Sequence, residues 1–497
     1  MASTARFLTL GYTLLAAPLA AQDRPLPTVP QSLGLQEAVD LASRYSPALR
    51  QTENDRGPAA WGVRNAYASF LPQLTATSSL DYRGAGSQAF LTQEFVQQSS
   101  TIGSSYRLSL SMQLSGRTLS QPALARAQLD ATDASITGAR LNLRSLIVGQ
   151  YLTVLQAQEQ VSLAEVQLRR SEEFLRLARA RFEVGQTTVL DVRQAEAARG
   201  RSEVALLQAQ QAVTVEKLRL FQQMGVAAPD DPSIVALSDT FPIVEPQWTL
   251  ADLLASADVQ NPDLNALRAQ ETAAKWGERA AKSTWLPTLS FAAGWSGFTQ
   301  QFTNADPLIA SARASAQDQI DQCEYINANW VNAGRPLVPC NVVYGFTPEQ
   351  EAAIRARNDV FPFDFRTQPF FASLSVSLPI FTQFGRPLDV SQAAARADDA
   401  REAVRARGLQ VRTEVSQAYY GLTTAHRTIQ VQEANRAAAQ EALRLQTERY
   451  RVGSGTFFDL LDAQVTAQQA EADYISAVYA YHRAMASLEA AVGRSLR

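Results

Sequence analysis

Two hydrophobic rhythms run through this chain, and each occurs twice. After Leu71-Pro72 the pattern has period two. Leu74, Ala76, Ser78, Leu80 and Tyr82 share one face, and a returning segment sets Tyr106, Leu108, Leu110, Met112 and Leu114 against Arg107, Ser109, Ser111 and Gln113. After Leu286-Pro287 it recurs in Leu289, Phe291, Ala293 and Trp295. Phe370, Ala372, Leu374, Val376, Leu378 and Ile380 then stand opposite Ser373, Ser375 and Ser377. One apolar and one small-polar face predict half-buried strands, and strands of about ten residues cross a bilayer in a tilted barrel. A soluble sandwich alternates in the same way. The Ser, Thr and Gly face suits water, however, and Tyr82, Tyr106, Trp295, Phe298, Phe370, Phe381 and Phe384 gather near strand ends, as an interfacial girdle would. Four strands cannot close a barrel, and an edge left open in lipid strands unpaired backbone groups at several kcal/mol each. Strands in a membrane therefore require several chains per barrel.

The second rhythm has period seven. Ile147, Val154, Val161, Leu168, Leu175 and Phe182 repeat, followed three positions later by Gln150, Ala157, Ala164, Ser171 and Ala178. From Leu119 to Phe182 no proline follows Pro122, and a helix of that length runs roughly 95 Å at 1.5 Å per residue. Val415, Leu422, Ile429, Leu443 and Tyr450 keep the same register, broken only by Arg436. A sustained heptad predicts coiled coil, and its small second seam permits close helix approach. Gly185 and Gly453 end the long helices, and each is followed by a returning helix. Each copy thus reads as a helical hairpin whose tip lies far from the strands.

The rhythms repeat because the chain is duplicated. "LQEAVDLASRYSPAL" (Leu35 to Leu49) matches "LADLLASADVQNPDL" (Leu250 to Leu264), 215 positions later, and the offset holds ungapped through Trp61/Trp276, Gly62/Gly277, Arg64/Arg279 and both Leu-Pro pairs. "RFEVGQTTVLD" (Arg181 to Asp191) matches "RYRVGSGTFFD" (Arg449 to Asp459) at an offset of 268. The first repeat is expected over 22–228, with helices 33–70, a strand pair 71–116 and a hairpin 119–225. A proline-bearing linker covers 229–247. The second repeat covers 248–497, with helices 248–285, a strand pair 286–384 interrupted by a long loop 299–369, and a hairpin 387–493.

Arg6 and the apolar run Phe7 to Ala21 predict a secretory signal over 1–21, too short to span a bilayer as an anchor. No cysteine follows it, so a lipoprotein is not expected. Cys323 and Cys340, the only cysteines, lie in the long loop and are expected to form a disulfide in an oxidising compartment. A net charge of -3 gives no nucleic-acid footprint. His426 and His482 have no companion metal ligands, and nucleophile-elbow, P-loop, zincin and dinucleotide motifs are absent. No enzyme, cofactor or metal is expected.

Taken together, the duplicated openings, the paired "LP" starts and the tip "RYRVGSGTFFDLLDAQ" (Arg449 to Gln464) resemble the TolC-like outer-membrane efflux protein family over essentially the whole mature chain. The resemblance implies an α+β membrane protein with four transmembrane strands per chain. These would build a homotrimer with one twelve-stranded barrel in outer-membrane lipid and a coiled-coil tunnel through the periplasm. It also implies partners: a periplasmic membrane-fusion adaptor docking at the hairpin tips (Gly185, Asp191, Gly453, Gly455), and an inner-membrane efflux pump or export ATPase. Drug, metal and protein export share such a duct. Asp459 and Asp462 match acidic residues that narrow the tunnel. Spaced by three, they lie on one helix face, so three chains would set six carboxylates near one axis, favouring cations; the plain alternative is two solvated coil residues. Tyr450 matches a tyrosine that helps hold the entrance shut. Gly455 stands where the family pattern has a basic partner for Asp191, so a latch through Arg449 or Arg451, or a weaker one, is left. The rival reading is an envelope-tethered coiled-coil structural or adaptor protein without channel activity.

Overall fold

The computed structural model describes residues 29–90, 93–237, 239–331 and 334–496; the expected signal over 1–21 lies outside the described residues. In chain order the first copy gives α1 (Leu35–Tyr45), α2 (Pro47–Asn54), α3 (Arg56–Ala68), β1 (Gln73–Arg83), β2 (Gly86–Phe90), β3 (Gln93–Gln98), β4 (Thr101–Leu114), α4 (Gly116–Glu183) and α5 (Val189–Met224). The second gives α6 (Leu250–Gln260), α7 (Pro262–Lys282), β5 (Thr288–Phe302), α8 (Asp306–Val331), α9 (Cys340–Tyr344), α10 (Pro348–Asn358), β6 (Arg366–Thr367), β7 (Phe371–Ser377), α11 (Gly385–Arg451) and α12 (Phe457–Val492). The chain divides into a helical unit (up to Ala60, Ala127–Ala274, Arg396–Arg497) and a strand-bearing unit (Trp61–Arg126, Lys275–Ala395).

In the helical unit the heptads are buried as the pattern dictates. Ile147, Tyr151 and Val154 of α4 pack with Leu220, Phe221 and Met224 of α5 and with Ala38 and Ala42 of α1. The second copy repeats this with Val415, Leu422 and Ile429 of α11, Tyr481, Met485 and Leu488 of α12, and Leu253 and Ala257 of α6. Along α4 the small seam is continuously buried at Ala157, Ala164, Ser171 and Ala178, whereas Val161 and Leu168 are only half-buried. Small side chains let the helix backbones approach most closely along that line. Arg436, the break in the second heptad, is absorbed by the Tyr474 ring 3.9 Å from its Cζ and by Glu471 at 3.5 Å.

The linker is tied to both copies. Gly34, the N-cap of α1, has no side chain to cap with, and Asp239 supplies the acceptor, 2.6 Å from the Leu35 N–H. The Tyr151 hydroxyl lies 2.7 Å from the same carboxylate and 2.9 Å from the Leu33 carbonyl. Burial, reinforced by Asp239, pushes its phenol far above the usual range. Tyr481 donates to the Val244 carbonyl at 2.5 Å. Lys217, buried on α5, donates to the carbonyls of Pro232 and Ser233, and burial lowers its ammonium pKa against the pull of Asp231.

In the strand-bearing unit β1, β4 and β5 pair antiparallel in that order, with β7 and β6 on the far side of β5, while β2 and β3 form a separate hairpin. The register lines up the faces read from the sequence. Leu74 faces Leu110, Leu110 faces Ala293, and Ala293 faces Ala372. Phe291 stands between Met112 and Leu374, and Leu289 between Leu114 and Val376. On the other face Ser290 lies between Gln113 and Ser375.

Several boundaries need correction. The segment 299–369, expected as a long loop, opens with the end of β5 and then carries α8, α9 and α10. A capping box explains the last, with Thr347 and Gln350 satisfying each other's backbone N–H around Pro348. The expected strand running to Ile380 ends at Ser377, which faces Thr288, the first residue of β5; the chain before Thr288 is a 3-10 turn and Leu286-Pro287 rather than strand, so the ladder stops there. Gln383 and Phe384 then turn the chain into α11 with positive φ. In the first copy the return strand starts at Thr101, ahead of Tyr106, and the β2–β3 hairpin lies between it and β1. The short helix and following helix expected within 33–70 and 248–285 divide at Ser46 and Asn261, each followed by a proline at the next helix's first position, and the first copy is broken once more at Asp55. Cys323 and Cys340 are joined by a disulfide that ties α8 to α9, with Cα atoms 5.8 Å apart.

Candidate functional site at the hairpin tips

The two hairpin tips fall within the helical unit and are built alike. Gly185 and Gly453 take left-handed φ values of 75° and 80°. The Gly185 N–H bonds the Phe182 carbonyl at 2.9 Å and the Gln186 N–H bonds the Arg181 carbonyl at 2.8 Å. The matching pairs in the second copy are Gly453 to Tyr450 at 3.1 Å and Ser454 to Arg449 at 2.9 Å. These bonds satisfy carbonyls that the helix ends would leave open, and a side chain at either glycine would meet the left-handed penalty of about 1–2 kcal/mol.

The helices leaving the tips are started differently. At α12, Thr456 accepts the Asp459 N–H at 3.1 Å, and the Asp459 carboxylate accepts the Thr456 N–H at 3.3 Å. The Thr456 bonds, with the Arg449 charge adding to them, hold Asp459 below the usual carboxylate range. At α5, Thr188 makes no such cap, and Asp191 accepts from the Thr187 hydroxyl. Asp462, one turn beyond Asp459, is exposed; its carbonyl accepts from Thr466, and its carboxylate has no partner among the described residues.

Behind the turns the two hairpins share one core. Tyr450, only 2% exposed, packs against Phe457 with ring centroids 5.4 Å apart, among Leu175, Ala178, Val192, Leu443 and Leu460. Burial raises its phenol; Thr187 pulls the other way, Asp191 adds to the rise, and Arg181 opposes it. The Arg181 guanidinium lies over the Tyr450 ring, Cζ 4.6 Å from the centroid, and donates to the Tyr450 carbonyl. Further along, Gln464 reaches Ser171 at 2.9 Å, and Ser171 meets Ser202 at 2.9 Å, a buried polar contact between the hairpins.

The structure thus brings Tyr450, Asp191, Gly185 and Gly453 into one neighbourhood and leaves Asp459 and Asp462 exposed on α12. Neither Arg449 nor Arg451 reaches the first tip. The tie runs through Arg181, which in the sequence is an ordinary basic residue in a last helical turn and aligns with Arg449. A Cβ on Gly455 would sit 3.2 Å from the Arg449 Cβ and 3.3 Å from the Tyr450 nitrogen, so the turn leaves little room for the basic side chain of the family pattern. Val184, Leu190, Val452 and Phe458 stand exposed around the two turns.

A protein-family profile described as "Outer membrane efflux protein" matches residues 38–226 and 351–494. The outer membrane efflux protein BepC of Brucella suis biovar 1 (strain 1330) is 25% identical over 369 residues, covering 71% of this chain and 67% of that protein. Among solved structures, a membrane protein from Pseudomonas aeruginosa superposes with a TM-score of 0.68 at 20% identity, covering 95% of this chain and 92% of that one. The open state of the MtrE outer membrane channel of Neisseria gonorrhoeae superposes with a TM-score of 0.64 at 20% identity, covering 93% and 89%.

Proposed function

The chain belongs to the outer membrane efflux protein family, and from that premise we propose that it is the passive exit duct of a tripartite efflux or type I secretion system. It resides in the outer membrane. In this reading three copies complete one barrel, and their helical hairpins form the tunnel behind it. The observation that carries the proposal is the five-stranded sheet, in which β1, β4, β5 and β7 are the long strands and β6 is a two-residue strand. Its apolar face is open at Leu74, Leu80, Leu374 and Val376, and its outer strands β1 and β7 each lack one neighbour. Exposed leucine and valine suit lipid, and unpaired edges suit further copies of the same sheet.

The tips supply the gate. Asp459 and Asp462 set carboxylates on one helix face, and the Arg181–Tyr450 contact holds the second hairpin against the first. Contact with a periplasmic adaptor and an inner-membrane pump or ATPase opens it, the exposed Val184, Leu190, Val452 and Phe458 giving the adaptor an apolar surface. The duct itself does no chemistry, and the pump selects the cargo. Detergent-extracted protein added to a planar bilayer is expected to be trimeric and to conduct ions. A water-soluble monomer without conductance would sink the proposal and favour the structural coiled-coil reading.

A further inference from the structure

The chain contains its own template for the seam between copies. Inside it the two repeats meet where β4 pairs with β5, Leu110 facing Ala293 and Leu108 facing Trp295. In a ring of chains, β7 of one copy and β1 of the next must meet in the same roles. Every residue of β1 and β7 is exposed in the single chain, and Leu378 to Phe381, which continue the strand pattern past Ser377, have no strand to pair with.

The duplication fixes the correspondence. β1 matches β5 without a gap, so Leu74 corresponds to Leu289 and Ser78 to Ala293. Leu74 faces Leu110 and Leu289 faces Val376, so Leu110 corresponds to Val376. Resting on the oligomeric reading above, we infer that β7 joins β1 of the next copy with Val376 opposite Ser78. Leu374 then faces Leu80, Ala372 faces Tyr82, Leu378 faces Ala76 and Ile380 faces Leu74. On the water side Ser375 faces Ser79. The register keeps the apolar faces continuous across the seam, with Ser78 opposite Val376 the one polar residue among the pairs on that face. A slip of one residue would turn every side chain of one strand to the wrong face. It also gives Leu378 and Ile380 backbone partners, so the neighbouring copy completes a strand that stops short in the isolated chain. Slips of two keep the faces and are excluded only by the match to the internal seam.

Cysteine pairs read this register directly, because directly opposed residues lie within the roughly 4.4–6.8 Å Cα separation of a disulfide, whereas diagonal neighbours stand about 7–8 Å apart. The native cysteines are already joined to each other. Ser79→Cys would be combined in full-length protein with Ser375→Cys, Ser373→Cys or Ser377→Cys, all conservative changes at exposed positions. Outer membranes would be oxidised and denatured samples run without reductant. The Ser375 combination should give covalent trimers, with each flanking combination at least tenfold weaker, and Leu80→Cys with Leu374→Cys should agree with it. A trimer by native mass that crosslinks best through Ser373 or Ser377, or through no pair, overturns the register and leaves the oligomeric duct standing. A monomer by native mass removes the duct reading itself.

Discussion

Replacing Arg181 by alanine should loosen the tip. Two contacts are lost at once, the charged donor on the Tyr450 carbonyl and the guanidinium on the Tyr450 ring. A hydrogen bond from a charged group contributes about 1.5–3 kcal/mol, and a partly desolvated cation–π contact adds about 1 kcal/mol. Arg181 is only half-buried, so solvent screening returns part of this, leaving a net loss of about 2 kcal/mol for the tie. If opening swings the second tip away from the first, the closed-to-open ratio falls by about 30-fold, at 1.4 kcal/mol per tenfold. Single-channel recording in planar bilayers measures this as open probability in the absence of adaptor. Tyr450→Phe is the decisive companion, because it keeps the ring and carbonyl that Arg181 uses and removes only the hydroxyl. It should stay close to the parent protein. Equal opening by Tyr450→Phe, or none by Arg181→Ala, would refute the assignment of the tie to Arg181.

Asp462→Asn removes a carboxylate with no local structural bond and should lower cation selectivity, read as a reversal potential shifted toward zero under a salt gradient, with helix content unchanged. Asp459 differs because its carboxylate also caps α12. Its folded pKa is depressed, so its contribution to stability is complete above the ordinary carboxylate range and is lost as pH falls through the folded value. The protection of amides at the start of α12, taken relative to their intrinsic exchange rate at each pH, should therefore fall on acidification below that range, and Asp459→Asn should remove this fall; a fall that survives the substitution would contradict it. Cys323→Ser with Cys340→Ser should weaken the helical insertion by about 2–4 kcal/mol, seen as faster proteolysis within 306–358, while bilayer conductance persists. Loss of conductance would show that the insertion supports the barrel.

The strands were legible because the alternation is dense and each position depends on its immediate neighbours; Leu74 to Tyr82 and Thr288 to Trp295 fall where the pattern sets them. The end of β7 was not, since Leu378 and Ile380 alternate as well as Val376 does and only the absence of a partner past Thr288 stops the strand. The helices α8 to α10 escaped because their alanines and polar residues keep no clean period, although Thr347, Pro348 and Gln350 carried a readable start signal. At the tips, the family resemblance pointed to Tyr450 and Asp191, and the ends of the heptad helices pointed to Gly185 and Gly453. Neither could point to Arg181, whose partner lies 269 positions away and whose aligned counterpart, Arg449, makes no such contact among the described residues.

The cap that Asp239 provides to α1 has a consequence for the order of folding. The first helix is closed by a carboxylate 204 residues downstream, which also sits on the Tyr151 hydroxyl. Until the chain through the linker is available, α1 has neither its N-terminal acceptor nor the finished floor beneath Leu33. Contacts this distant close loops whose entropy must be overcome before they stabilise anything. A helix early in the chain is thus among the last to lock, and amide protection in Leu35 to Tyr45 serves as a clock for completion of the first repeat.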